Sequence, residues 1–275
     1  MRKIIETFNA QATSDGDGVN ITRLAGRHLQ GVLNPYLMID EINSDDATDY
    51  IGGFPTHPHR GFETITYMKA GRMRHRDHMG NEGVIEAGGV QWMTAGRGVL
   101  HSEMPEQEHG LLHGFQVWLN LPASEKMQAA DYRDIASRDI TEQTLPKGGL
   151  VRIISGNVEI DGNRLAGPIQ NRSTQPILID LQLNSDETVE LSFNEQNRAL
   201  VYVYQGSTHD TKQRQMTHYS EGDKLYIKAG KFGVALLILS GSPIDEPIVQ
   251  YGPFVMNTRK EIEQAFDDIN NDIFV

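Results

Sequence analysis

The sequence predicts an all-β chain made of two related barrels or sandwiches, with one short helix near its C-terminal end. Three observations carry this. Short runs of aliphatic, β-branched and aromatic residues recur between Gly, Asn and Asp clusters. Helix signals are few. Two stretches of the first half return in the second at a common offset.

In chain order, "DGDGVN" (15–20) is a turn. "ETITYMKAG" (63–71), "GGVQWMTAG" (88–96) and "GLLHGFQVWLNLP" (110–122) are strand patterns, and "HMGNEG" (78–83) reads as a hairpin tip. "PASEKMQAADYRDI" opens a helix after Pro122, with Ser124 as N-cap. Further strand patterns follow in "GGLVRIISGNVEIDG", "QPILIDLQL", "TVELSF", "RALVYVYQG" and "FGVALLILSG". In "NTRKEIEQAFDDINNDIF", Thr258 and Glu261 have capping-box spacing. Ile262, Ala265, Phe266 and Ile269 form one apolar stripe, which reads as core packing against a sheet.

The repeat matches "ETITYMKAGRM" with "RALVYVYQGST" and "IEAGGVQWMTAGR" with "SEGDKLYIKAGK", pairing Gly71 with Gly206 and Glu86 with Glu221. A duplicated β domain follows, with residues 1–145 as the first copy and 146–275 as the second. His57 falls on Ser192, His59 on Asn194 and Glu63 on Arg198, so the second copy keeps the strands and loses the histidines.

Composition excludes several chemistries. There is no cysteine, so disulfides and thiolate ligands are out, and any metal is held by His, Asp or Glu. The net charge of −12 repels phosphate backbones, which argues against direct nucleic-acid binding. No apolar run is long enough for a signal peptide or a membrane span. The expectation is a cytoplasmic protein.

Seven of the 10 histidines lie between His57 and His113. In "THPHRGFETITY", His57 and His59 sit at i and i+2, which share a strand face. In "TAGRGVLHSEMPE", His101 and Glu103 repeat that spacing. Two antiparallel strands offering such pairs can surround one transition-metal ion, and this donor set suits Fe, Ni, Zn, Cu or Mn. His75 and His78, amid charges beside a turn, read as solvated; His109, His113, His209 and His218 read as structural or exposed. Trp92, Met93 and Met73 lie on strands near the ligands and read first as core.

"THPHRGFETITY", "GNEGVIEAGGVQWMTAGRGVLHSEMP" and the tail "EPIVQYGPFVMNT" resemble the pirin family, within the cupin superfamily. The resemblance is strong over residues 30–120 and the tail, and elsewhere in the second domain rests on pattern. It implies a bicupin of two jelly-roll barrels facing each other, with metal only in the first. Its ligand positions fall on His57, His59, His101 and Glu103, with Fe(II) as the usual ion and Ni, Zn, Mn or Cu as alternatives. The general cupin pattern would use Glu63 as carboxylate instead, and Glu63 shares the numbering parity of the two histidines. The resemblance implies quercetin 2,3-dioxygenase type cleavage of flavonols, or an iron-dependent, redox-responsive regulator acting through protein partners.

Overall fold

The computed structural model describes residues 1–275. Its chain is β throughout apart from short 3-10 turns, one helical turn at Gln30–Leu33 and the helix Arg259–Asn270. The expected helix after Pro122 is a 3-10 turn, Ala123–Glu125, with no side-chain cap, and the residues beyond it form the strand Asp131–Ile135. There Tyr132 pairs with Met93, and sheet pairing overrides the local helix signal.

Two compact units emerge. One comprises residues 11–137 with 244–275, the other residues 1–10 with 138–243. The expected boundary at 145/146 falls in the turn between Thr141–Thr144 and Leu150–Ser155, which pair in register within the second unit. Each terminus belongs to the unit built mainly by the other half. Ile4–Asn9 pairs with Gln215–Tyr219, and the C-terminal segment joins the histidine-bearing unit.

In the histidine-bearing unit a seven-stranded antiparallel sheet runs Asp131–Ile135, Val90–Thr94, Phe62–Ala70, Leu112–Asn120, Tyr36–Ser44, Val19–Leu24, Gln11–Asp15. A four-stranded sheet runs Phe54–His59, Val99–Pro105, Met73–Asp77, Glu82–Ile85. Val19, Ile21, Ile42, Tyr50, Met68, Met73, Ile85 and Leu112 form one buried cluster in this unit. The chain passes from one sheet to the other at Arg60–Gly61. Gly61 has φ 90°, and a Cβ there would lie 2.1 Å from the Val255 carbonyl oxygen, so only glycine fits.

The C-terminal segment carries the hairpin Val249–Tyr251/Phe254–Met256 and then the helix, whose capping box is formed by Thr258 and Glu261. Buried Arg60 bonds Asp268 at 2.6 Å, donates to the Phe274 carbonyl and stacks on the Phe274 ring. Buried Lys126 donates to the carbonyls of Gly61 and Val255 and to Asn120 Oδ1. Burial pulls its pKa down to about 8. Three acceptors within 2.9 Å are the arrangement an ammonium requires.

In the second unit the 17-residue strand Lys224–Ser240 serves two sheets. Its first part pairs with Thr188–Ser192 and its last part with Ile177–Leu183 and Ala199–Thr208. The interior is a single cluster of aliphatic side chains, among them Val151, Ile179, Val201, Leu236 and Ile238, with Phe193 and Tyr219 at its margin.

Candidate metal centre

The site grows from sheet pairing. Phe54–His59 is the edge strand of the four-stranded sheet and pairs only with Val99–Pro105 there, bringing His57 opposite His101. An edge strand tolerates proline, which has no N–H to donate. Pro58 therefore separates two histidines that project together without costing the sheet a ladder bond. A register shift between His101 and Glu103 leaves Glu103 opposite Phe54 on this side and opposite His75 on the other.

The three imidazoles converge. One nitrogen from each of His57, His59 and His101 lies within 4.8 Å of the others. His57 Nε2 and His59 Nε2 are 3.0 Å apart. His57 Nδ1 is 2.8 Å from the Pro55 carbonyl oxygen, which can only accept, so the hydrogen sits on Nδ1 and Nε2 presents a lone pair. His59 Nδ1 faces the Pro253 carbonyl at 3.4 Å, which favours the same tautomer. Two lone pairs so placed repel unless a cation lies between them. Neighbouring octahedral donors about 2.1 Å from an ion are about 3.0 Å apart, the separation seen here. Both nitrogens of buried His101 lack a hydrogen-bond partner within the protein. Burial, then repulsion from neighbouring imidazoles, holds the pKa values of His59 and His101 well below the usual histidine value, keeping both neutral as ligands must be. These residues fit a transition-metal ion.

Glu103 stands beside the triad without being one of its three clustered donors. It is buried, takes a 2.9 Å hydrogen bond from Thr66 Oγ1 and a 3.1 Å bond from Gln116 Nε2. Glu63 is also buried, but accepts from Thr94 Oγ1 at 2.7 Å. It lies on the face of Phe62–Ala70 opposite to Thr66. The shared numbering parity of Glu63 and the histidines does not carry across the Arg60–Gly61 crossing, because they stand on strands of different sheets.

A cavity of about 1760 Å³ opens onto His57, His59 and Glu103. Buried Met38, Ile42, Met68, Met73 and Phe115 contribute to its wall. Trp118 does too, edge-on to His59 at 5.3 Å. Of the three strand residues weighed as lining, Met73 borders the cavity, whereas Trp92 and Met93 are fully buried packing. Arg23 lies in the wall, held by both oxygens of Asp40 and by Asp15, so its charge is already matched.

His75, expected in solvent, is 1 % exposed. Strand alternation turns it inward opposite Glu103, with its ring 5.7 Å from that of His101 and 4.7 Å from Tyr132. His113 is buried and bonds Glu41 at 3.0 Å. Thr66, Gln116 and Trp118 were not singled out by sequence. The signal available was the alternation Gly114-Gln116-Trp118, a polar residue on an inward-facing row. The C-terminal helix reaches the site as well, since Ile262 and Phe266 of the apolar stripe border the cavity.

The Pirin family model matches residues 18–119, and the model of the Pirin C-terminal cupin domain matches residues 178–275. A Vibrio cholerae protein provisionally named quercetin 2,3-dioxygenase is 45% identical over 273 residues, covering 98% of this chain and 96% of its own. A pirin-like protein of Caulobacter vibrioides is 42% identical over 278 residues, covering 100% and 99%. The crystal structure of quercetin 2,3-dioxygenase from Acinetobacter baumannii superposes with a TM-score of 0.91 at 32% identity, covering 100% of this chain and 98% of that one. The chain belongs to the pirin family, and its two units are cupin domains.

Proposed function

We propose that this chain is a metal-dependent dioxygenase that cleaves flavonols, in the manner of quercetin 2,3-dioxygenase, with Fe(II) held by His57, His59, His101 and Glu103. One observation carries the reading: the Nε2 atoms of His57 and His59 stand 3.0 Å apart, each ring with its Nδ1 turned to a carbonyl oxygen, on the wall of a largely apolar cavity. The names borne by the Vibrio cholerae and Acinetobacter baumannii proteins point the same way. When bound, the ion supplies a Lewis acid and an electron relay between an enol and O₂.

The chain's own residues do the rest. Met38, Ile42, Met68 and Met73 offer an apolar bed for a flat aromatic ring and exclude water from it. Trp118 packs against His59 and limits its rotation. Thr66 and Gln116 orient the Glu103 carboxylate, which borders the cavity and can accept the proton of an enol hydroxyl. The Pro55 and Pro253 carbonyls keep His57 and His59 in the tautomer that presents Nε2.

The test is to load the protein with Fe(II) and follow flavonol absorbance together with oxygen uptake. The absorbance should fall in step with the oxygen consumed, one O₂ per flavonol. His101→Ala should lower the rate by about 100-fold or more, beyond the ~10–100-fold typical of outer-shell changes. A variant as fast as the parent would overturn the proposal.

A further inference from the structure

The cavity is larger than the reaction requires. Sites for drug-sized ligands measure ~300–1,000 Å³, and this one is about 1760 Å³. Its two ends also differ. The inner end is buried and apolar around Glu103 and the histidines. The mouth is wet and polar, lined by Arg27, Gln30, Gln250, Arg259 and Glu263, of which Arg27, Arg259 and Glu263 are exposed.

The mouth also carries aromatic surface. Tyr251, 67 % exposed, meets Phe266 edge-to-face at 5.6 Å, and both border the cavity. An exposed ring beside mixed donors and acceptors suits a sugar, whose C–H face packs on the ring while its hydroxyls bond the polar groups.

We infer that the substrate is a flavonol bearing a sugar on a ring remote from its enol, with the sugar bound at the mouth by Tyr251 and Glu263. This rests on the dioxygenase reading and names the substrate class within it. The enol stays free to reach the inner end, so a sugar on the enol oxygen itself is excluded.

Quenching of tryptophan fluorescence gives binding constants on the metal-loaded protein, because Trp118 borders the cavity and Trp92 does not. The probes are quercetin and its 7-O- and 4′-O-glucosides. One of the two glucosides should bind roughly tenfold tighter than quercetin, the gain of one or two net hydrogen bonds. Tyr251→Ala and Glu263→Ala should each bring the glucoside-to-quercetin ratio back toward one. If neither glucoside is preferred, the inference is overturned. Oxygen uptake separates this from the reading beneath it. Turnover of quercetin without glucoside preference removes the sugar subsite alone. No uptake with any of these flavonols removes the dioxygenase reading, and the affinity ratio still decides the subsite.

Discussion

The two cupin units share a strand plan and differ in what fills them. In the second, Val151, Ile179, Val201, Leu236 and Ile238 close the interior into one aliphatic cluster. In the first, the inward rows carry His57, His59, His101, Glu103, Thr66 and Gln116, and a cavity remains. Ser192 and Asn194 stand where the repeat places His57 and His59. Fold and chemistry are thus written at separate positions. Outward rows and turns keep the barrel, and a handful of inward residues decide whether it is a core or a site.

Three experiments would break or sharpen that contrast. Leu236→Ala, in the filled unit, should cost about 3 kcal/mol by leaving a void in close-packed surroundings. Met38→Ala should cost less than half as much, because Met38 already borders open space. Chemical denaturation of the apo-protein measures both, and equal losses would deny that the two interiors differ. Next, on the proposed ligand set with Glu103, Gln116→Leu should leave the fold intact and weaken metal binding by roughly tenfold, as removing an outer support of a ligand does. Competition against a chelator reads this directly, and unchanged affinity would mean Glu103 needs no such support. The smallest effect belongs to Ser192→His with Asn194→His. The pair should bind no second metal ion in equilibrium dialysis, since Ser192 and Asn194 lie on the face away from buried Leu191 and Phe193, with no third histidine beside them. Two ions per chain would show that the histidine pair alone makes a site.

The fold was readable because alternation and turn residues act locally. The runs around Thr66, Val201 and Leu236 all became strands, and the Thr258–Glu261 box opened the helix it announced. The His57/His59 and His101 rows were readable for the same reason. What escaped depends on the chain's path through space. Glu63 shares the histidines' parity in sequence, but Gly61 turns the strand into another sheet. His75 sits among charges in sequence, yet alternation turns it beneath Tyr132. Ile262 and Phe266 read as plain packing, because nothing local says that their helix folds back onto a cavity formed by residues 15–118.

Pro58 has a consequence beyond spacing two ligands. Its strand is the free border of the four-stranded sheet, where unpaired N–H groups would invite a stray chain to zip on. A ring with no hydrogen to give spoils that template at the very place where the imidazoles are displayed. The residue between the two histidines therefore also removes a donor from the rim.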